Sequence, residues 1–252
     1  MIIFKGKRLI LCMIKKTVLI TGAAKRIGKF ISLFLAQKGF NIAIHYNLSK
    51  KEAIDLQANL QKKYTEQKFE IFQCDLSNPK DCNGLINKVL LNFDSIDILV
   101  NNASVFEPGV IRETSIKLLH NQMNVNLLAP FILSRDYAVN CNEGLIVNLL
   151  DTRISAYSNS HAAYSLSKVA FSHLTKMAAL EFAPNIRVNG IAPGAILPPE
   201  DQGKEYLLNL AKKTPMQVPG GIEPVLQSMN YIIKNTNLTG QILFCDGGEQ
   251  LL

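Results

Sequence analysis

The chain has 252 residues, of which 48% are hydrophobic, and a formal net charge of +7 at pH 7. This length and hydrophobic content predict one globular domain with a closed core. Because the lysines and arginines are scattered and tryptophan is absent, we expect a nucleotide or another small anionic ligand rather than a nucleic acid.

The N-terminus and the cysteines indicate the cellular compartment of the protein. The apolar runs within residues 1–12 are too short to cross a membrane, and they lack the core and cleavage site of a signal peptide. We expect residues 1–13 to be an N-terminal extension, with Met13 as an alternative start, and residues 14–252 to be the domain. The five cysteines and four histidines show no paired spacing, which favours free thiols, a cytoplasmic location and no metal site.

Short β-rich runs alternate with longer helical patterns along the chain. Strands are predicted at residues 17–21, 41–45, 69–73, 96–100, 145–149, 187–191 and 241–245. Helices are predicted at residues 27–38, 51–64, 79–92, 116–140, 162–182 and 223–235. The alternation, with strands that are apolar on both faces, predicts a single α/β domain: a Rossmann-type, doubly wound parallel β-sheet of about seven strands flanked by helices. The Pro- and Gly-rich stretch at 193–221 is predicted to be an irregular loop over a substrate site, although a surface loop without function is the alternative.

The first strand leads into a turn of small residues, Thr21-Gly22-Ala23-Ala24-Lys25-Arg26-Ile27-Gly28, before the first predicted helix. A turn of this kind lets the backbone approach a pyrophosphate, whose charge the N-terminus of the helix stabilises. Close packing of the strand on the helix would need similar residues. The candidate cofactor contacts in this turn are Gly22, Lys25, Arg26, Ile27 and Gly28.

The second strand ends in His45-Tyr46-Asn47-Leu48-Ser49, and two lysines follow. No acid stands where one would bind the ribose 2′-hydroxyl of NAD, whereas Ser49, the lysines and Arg26 could hold a 2′-phosphate, which favours NADP(H). Ligands of such sheets bind at the carboxyl ends of the strands, so the next two strand ends also supply candidates. The candidate cofactor contacts at these three strand ends are His45, Tyr46, Asn47, Ser49, Asp75, Leu76, Asn102, Ala103 and Ser104.

Tyr164 and Lys168 lie four residues apart in a predicted helix, so both side chains share one face. An ammonium beside a phenol stabilises the phenolate and lowers its pKa from about 10. We therefore expect a tyrosine that exchanges protons near neutral pH. Asp151 precedes this pair at the end of the fifth strand, where a solvated strand-end acid or a helix cap is its alternative role.

The order of these motifs resembles that of the short-chain dehydrogenases/reductases. The resemblance rests on the glycine turn, Asn101-Asn102-Ala103, Asn126, Tyr164-x-x-x-Lys168 and Pro193-Gly194, and it extends from residue 17 to the C-terminal Asp246-Gly247-Gly248. It implies that Tyr164 is the proton donor, that Lys168 binds the nicotinamide ribose and tunes Tyr164, and that Asn126 holds a water in the proton relay. It also implies cofactor contacts at Pro193 and Gly194, and a homotetramer built partly from the helices at 116–140 and 162–182.

Two departures from the general family pattern narrow the resemblance. Arg26 replaces the middle glycine of the turn, and Asp151 replaces the usual catalytic serine. Together with Phe106, which follows Asn102-Ala103-Ser104, they make the chain similar to the pteridine reductases and to the bacterial dihydromonapterin and dihydrofolate reductases of this fold. Leu48 stands where those reductases often have an arginine.

This narrower resemblance implies a role for each substrate-binding candidate. Arg26 would contact the cofactor phosphate and the pterin, Phe106 would stack on the pterin ring, and Ser104 would hydrogen-bond the ligand. The substrate-binding candidates are then Arg26, Ser104, Phe106, Asp151 and Tyr164. For Phe106, an ordinary core aromatic is the alternative.

We therefore expect an NADPH-dependent reductase of a dihydropteridine, with dihydromonapterin, dihydrobiopterin or dihydrofolate as the substrate. Reduction of a ring C=N needs a hydride on carbon and a proton on nitrogen, and a carboxylate at position 151 suits a nitrogen heterocycle better than a simple carbonyl. One alternative is a carbonyl reductase of the same fold, such as a 3-oxoacyl-carrier-protein reductase. Another is an NADP(H)-binding regulatory protein that has lost catalysis.

Overall fold

Seven parallel strands form one sheet in the order β3-β2-β1-β4-β5-β6-β7. The structure is a computed structural model and describes residues 15–157, 159–198 and 202–252. The strands are β1 Thr17–Ile20, β2 Asn41–Tyr46, β3 Phe69–Gln73, β4 Ile98–Asn101, β5 Gly144–Leu149, β6 Ile186–Pro193 and β7 Ile242–Cys245. The chain order reverses between β1 and β4, and the carboxyl ends of strands at such a switch point are where ligands bind.

Helices cover both faces of the sheet. They are α1 Arg26–Gln37, α2 Lys50–Lys63, α3 Pro79–Cys82, α4 Leu85–Leu90, α5 Ile116–Met123, α6 Ala129–Asn140, α7 Ala162–Phe182, α8 Lys204–Ala211 and α9 Glu223–Lys234. In β1, Val18 and Ile20 belong to a core cluster that includes residues of α1, α2 and α9, whereas Leu19 belongs to the cluster that includes residues of α4, α6 and α7. Because side chains alternate between the two faces of a strand, both layers demand apolar residues. This explains why β1 and β4 are buried throughout, and the predicted doubly wound sheet is confirmed.

The long predicted helix at 116–140 is interrupted. α5 and α6 are joined by a π-helical turn, Asn124–Leu128, and Pro130 lies in the first turn of α6. Proline has no N–H, so the carbonyl of Asn126 lacks the donor that a continuous α-helix would supply at residue 130. The change of helical type therefore falls on Asn126, one of the predicted catalytic residues.

Two other predicted segments also differ in the structure. The helix predicted at 79–92 is two short helices, α3 and α4, separated by Asn83 and Gly84. The stretch 193–221 is not wholly irregular, because it contains α8, whose Leu207 and Ala211 are buried. Residues 1–13, the predicted extension, lie outside the described residues. In the described part of the chain no helix combines the length and apolar content needed to cross a membrane.

Candidate active site

In the turn between β1 and α1, two glycines allow the backbone of α1 to lie close to the end of β1. Gly22 has φ +61°, and a Cβ on Gly28 would lie 2.2 Å from the carbonyl oxygen of Gly22. Only a residue without a side chain fits at position 28, and the left-handed backbone favours glycine at position 22. The N-terminus of α1 consequently lies directly against the end of β1.

His45 braces this turn from behind. The ring is buried, its Nδ1 accepts a hydrogen bond from the Gly22 N–H (3.0 Å), and its Nε2 lies 3.0 Å from the Cys74 carbonyl oxygen. These partners require a neutral ring with the proton on Nε2. Both ring nitrogens are therefore occupied, so the ring supports the turn, and the cofactor contact at His45 stays a prediction.

Asn102 and Ala103 join the end of β4 to the same turn. The Asn102 side-chain amide donates to the Thr21 carbonyl (2.8 Å), and the N–H groups of Asn102 and Ala103 donate to the Thr21 hydroxyl (2.9 and 3.0 Å). Thr21 thus holds the end of β4 against the end of β1, where the strand order reverses. A Cβ at Gly22 would lie 3.1 Å from the Cα of Ala103, which places both residues in one tightly packed corner.

Arg26 begins α1 in a strained conformation. Its φ is +48°, a region that residues other than glycine, asparagine and aspartate avoid, and its side chain is exposed. The neighbouring Lys25 pairs with Glu52 of α2 at 3.1 Å, with both side chains nearly half exposed, while Ile27 packs on the core. The turn therefore carries one guanidinium, Arg26, that forms no ion pair within the described residues.

The ends of β2 and β3 divide the remaining cofactor candidates into two groups. The side chains of Tyr46 and Leu76 are buried in the core, so a cofactor contact at either position would be made by the main chain. Asn47 is exposed and donates to the Asp75 carboxylate (3.1 Å), which also accepts from the Ser77 N–H and hydroxyl. Ser49 precedes α2 and its hydroxyl does not cap that helix, so it stands with two exposed lysines on an open rim.

Asp151, Tyr164 and Lys168 meet at the carboxyl end of β5. The Tyr164 hydroxyl donates to Asp151 Oδ2 at 2.7 Å, and Asp151 Oδ1 accepts from the N–H of Arg153 at 2.8 Å. Lys168 is buried one turn further along α7, and its Nζ donates to the Leu149 carbonyl at 2.8 Å. The carboxylate therefore both orients the phenol and caps the 3-10 turn Thr152–Ile154.

The electrostatics of this group differ from the sequence-based expectation. Burial, and then the charge of Asp151 and its hydrogen bond, raise the pKa of Tyr164 well above its ordinary value of 10. Burial lowers the pKa of Lys168 to about 8, against the opposing effect of Asp151. The prediction of a lowered pKa for Tyr164 is therefore wrong, because burial and, after it, the Asp151 carboxylate both disfavour the phenolate. Tyr164 holds its proton and is a donor.

Asn126 is buried below this group with its side chain fully engaged. Its Oδ1 accepts from the Ser104 hydroxyl (3.1 Å) and the Val105 N–H (2.9 Å), and its Nδ2 donates to the Ser167 hydroxyl (3.1 Å) and the Val105 carbonyl (3.0 Å). The side chain therefore has no free group for the predicted relay water. The side chain instead holds Ser104 in place. The main-chain carbonyl of Asn126, which receives no N–H from Pro130, is the group of this residue that could bind a relay water.

Phe106 forms an aromatic wall above the tyrosine. Its ring is 52% exposed, stacks on His161 (centroids 4.1 Å apart, planes 7° apart) and meets Tyr164 edge to face at 4.6 Å. The Arg153 guanidinium lies 5.6 Å from the centre of the same ring. Phe106 is therefore not a core aromatic, since about half of its surface faces open space.

Sequence reasoning missed His161 and Arg153. His161 has φ +55° immediately before α7, and burial, followed by the charge of Arg153, lowers its pKa. Both residues lie between Asp151 and Tyr164 in the sequence. A single histidine and a single arginine in a polar segment form no repeating pattern from which a role could be predicted. Their places at the site become visible only through their contacts with Phe106.

The C-terminal turn closes the site from the side of β6. Pro193 ends β6, and a Cβ on the following Gly194 would lie 2.9 Å from Glu249 Oε2 and 3.1 Å from the Cα of Asp246. The Thr152 hydroxyl donates to Asp246 Oδ2 at 2.6 Å. Residues at positions 151–153, 194 and 246–249 thus form one continuous wall.

Comparisons with known proteins agree with this architecture. The chain is 27% identical over 277 residues to pteridine reductase 1 of Leishmania tarentolae, covering 92% of this chain and 96% of that protein. It is 31% identical over 251 residues to NADPH-dependent aldehyde reductase 1, chloroplastic, of Arabidopsis thaliana, covering 92% and 85%. The crystal structure of FolM alternative dihydrofolate reductase 1 from Brucella canis complexed with NADP matches with a TM-score of 0.86 and 33% identity, covering 94% of this chain and 95% of that one.

The model of the family described as short chain dehydrogenase matches residues 16–205, which include β1 to β6 and the Tyr164–Lys168 pair. This match covers most of the chain, including the turn between β1 and α1 and the segment from Asp151 to Lys168. The chain belongs to the short-chain dehydrogenase family.

Proposed function

We propose that this protein uses NADPH to reduce a dihydropteridine to its tetrahydro form, with dihydromonapterin, dihydrobiopterin or dihydrofolate as the substrate. The observation that carries the proposal is the 2.7 Å hydrogen bond from Tyr164 to Asp151, next to the half-exposed ring of Phe106. A proton donor held by a carboxylate beside a flat apolar surface suits a planar nitrogen heterocycle.

The strand ends fit NADP(H) as the cofactor. A Cβ would fill the narrow space at Gly28, where the backbone of the turn can approach a pyrophosphate at the N-terminus of α1. Arg26, Ser49 and the lysines at the start of α2 stand at the rim with no acid at the end of β2, which favours a 2′-phosphate. Bound NADPH supplies the hydride, and the match to a structure whose description includes NADP supports this choice.

Residues of the protein supply the proton that the ring nitrogen receives. Tyr164 gives its hydroxyl proton to the ring nitrogen while the neighbouring ring carbon is reduced, and Asp151 keeps the phenol aimed and protonated until then. Lys168, held by the Leu149 carbonyl, provides the positive charge that stabilises the phenolate left after transfer. Ser104 donates to Asn126, interacts with the Tyr164 hydroxyl and offers a hydrogen bond to the substrate.

Reduction of a carbonyl is the second candidate, and the 31% identity to an aldehyde reductase favours it. Against it stands Asp151, because a carboxylate cannot donate a hydrogen bond to a carbonyl oxygen in the way that a serine hydroxyl can. A third candidate, a regulatory protein that binds NADP(H) without turnover, finds less support, since Tyr164 and Lys168 are both in place.

One assay separates these functions. Oxidation of NADPH by the purified protein is followed at equal concentrations of 7,8-dihydrobiopterin, dihydromonapterin, dihydrofolate, an aldehyde and a 3-oxoacyl thioester. We expect turnover of at least one dihydropteridine and little with the carbonyl compounds. Activity on the carbonyl compounds alone would contradict the proposal, and tight NADPH binding without turnover would support the regulatory alternative.

Assembly into a cytoplasmic homotetramer is part of the same proposal. The outer faces of α6 and α7 leave large apolar side chains exposed: Phe131, Val139, Met177 and Leu180. Contiguous exposed apolar groups on neighbouring helices are typical of protein interfaces. We propose that these two helices pair with those of other copies.

A further inference from the structure

The C-terminal turn is held rigidly against the site. Asp246 Oδ2 accepts from the Thr152 hydroxyl (2.6 Å) and the Gln250 N–H (2.9 Å), and its Oδ1 accepts from the Gly248 N–H (2.9 Å). Thr152 follows Asp151 directly, so the turn is fixed to the segment that carries the catalytic carboxylate. Glu249 lies within this turn and is only partly exposed.

Three carboxylates of the described residues line this wall, and within those residues one of them has oxygens that accept no hydrogen bond. Asp151 is engaged on both oxygens, by Tyr164 and by the Arg153 N–H, and Asp246 is engaged on both as well. The Glu249 carboxylate, lying against Gly194, forms no hydrogen bond or ion pair within the described residues. Burial, Asp151 and Asp246 raise its pKa, and Arg153 opposes them. A partly buried carboxylate without donors is unfavourable until a ligand supplies them.

The Arg153 guanidinium stands at the same site. Arg153 lies 5.6 Å from the centre of the Phe106 ring, and its side chain forms no ion pair in the described part of the chain. Arg153 stands beside Phe106 and its charge also acts on Glu249, so this wall presents an acceptor group, Glu249, and a donor group, Arg153. The two have opposite charges and complementary hydrogen-bonding capacity.

We propose that Glu249 is the residue that recognises the amino-substituted pyrimidine edge of the substrate, accepting from the ring N–H and the adjacent exocyclic NH2, with Arg153 donating to the neighbouring ring carbonyl oxygen. A carboxylate can accept two parallel N–H bonds, and a guanidinium donates to an oxygen acceptor. The proposal rests on the proposed function and names the part of the pterin that is selected.

The test compares two substrates that differ only at that edge: 7,8-dihydropterin, with a 2-amino group, and 7,8-dihydrolumazine, with a 2-oxo group. The ratio of their kcat/KM values is measured for the wild type and for Glu249→Gln. Hydrogen bonds to a charged acceptor predict that the wild-type preference for the amino compound falls by about tenfold to a hundredfold in the variant. The loss should appear mainly in KM, because the reacting atoms are untouched.

Three further measurements keep the result interpretable. Glu249→Asp keeps the charge and should retain part of the preference, whereas Glu66→Gln, an exposed change near the start of β3, should leave the ratio unchanged. The dissociation constant of NADPH, measured by fluorescence titration, should not change by more than about twofold in Glu249→Gln. Thermal unfolding of each variant checks that it is folded.

The possible failures are distinguishable. If the wild type reduces dihydropterin and Glu249→Gln keeps the wild-type ratio, the inference is overturned while the proposed function stands. If Glu249→Gln loses NADPH affinity instead of selectivity, Glu249 serves the cofactor and the inference is also overturned. If the wild type reduces neither pteridine nor any other dihydropterin, the proposed function itself fails and the inference falls with it.

Discussion

At the scale of single residues, Asp151 has more than one physical task. It aims the Tyr164 hydroxyl, keeps that phenol protonated and caps the turn that carries Arg153. A serine in its place would keep a cap but remove the charge. The substitution therefore separates the chemical contribution of the carboxylate from its local structural one.

We expect Asp151→Ser to lower kcat/KM for a dihydropteridine by about a hundredfold or more, the usual effect of losing a group that assists proton transfer. The dissociation constant of NADPH should stay within about twofold, because Asp151 lies at the substrate end of the site. Steady-state kinetics and fluorescence titration measure the two quantities, with Ser155→Ala in the same turn as the control. Equal losses of turnover and NADPH affinity would show that Asp151 is only structural.

Lys168 predicts a pH dependence with a definite sign. Its pKa in the unliganded protein is lowered to about 8, so its ammonium is charged below that pH and neutral above it. Tyr164, whose pKa is raised well above 10, stays protonated over the same range. The alkaline loss of activity should therefore come from Lys168 rather than from the tyrosine.

The kcat/KM for NADPH, which reports ionisations of the free enzyme, should fall as the pH rises through about 8, the pKa of Lys168. The measurement is a profile from pH 6 to pH 9.5 at saturating dihydropteridine, accompanied by thermal unfolding at each pH to show that the protein remains folded. A profile that stays flat to pH 9.5 would contradict this assignment.

At the level of secondary-structure elements, the turn between β1 and α1 places the charged side chain of Arg26 on a strained backbone. Arg26 has φ +48°, which costs an L-residue about 1 kcal/mol relative to glycine. A glycine would remove that cost and the guanidinium together. Stability and activity should therefore change in opposite directions.

We expect Arg26→Gly to leave the midpoint of thermal unfolding unchanged or raise it by about 2 to 4 °C, while NADPH affinity and kcat/KM for a dihydropteridine both fall about tenfold. Arg26→Ala is the matched control, because it loses the charge but keeps the strained backbone, so it should be less stable than Arg26→Gly. If the glycine variant proved less stable than the alanine variant, the strain argument would be refuted.

Element boundaries show where local sequence patterns stop being informative. The strands follow directly from apolar runs, as in β5 Gly144–Leu149, because burial on both faces dictates composition. The break of the 116–140 pattern depends on a single proline whose missing N–H affects Asn126 four residues earlier, and apolar periodicity does not register it. α8 was missed among prolines and glycines, although Leu207, Leu210 and Ala211 have the spacing of one helical face.

The site shows the same division. The Tyr164 and Lys168 positions on one face of α7 could be predicted from their spacing, since helical geometry fixes it. The raised pKa of Tyr164 could not, because it depends on burial and on a carboxylate from another element. The burial of the Tyr46 and Leu76 side chains could not be predicted either, because the sequence at a strand end does not show which side chains face the core.

At the scale of the whole molecule, the apolar outer faces of α6 and α7 predict self-association. Leu180 is 85% exposed on α7, and such a residue is expected to be buried by a partner copy. A charge placed there would be desolvated in the interface, which is strongly unfavourable. The monomer fold would not be affected.

We expect the wild type to be a tetramer in size-exclusion chromatography with light scattering, and Leu180→Glu to dissociate to smaller species with unchanged far-UV circular dichroism. Leu91→Glu, at a residue with similar exposure after α4, should leave the assembly intact. A wild type that is monomeric at micromolar concentration would refute the proposed assembly.

The hydrogen bond from Thr152 to Asp246 joins residues 94 positions apart. The wall beside Asp151 is therefore finished only by the last strand and the turn that follows it. During synthesis, most of the sheet can form before residues 246–249 leave the ribosome, yet this wall stays incomplete until they arrive. A chain released early, or clipped near its end by a protease, would retain much of the fold and lack one wall of the candidate site.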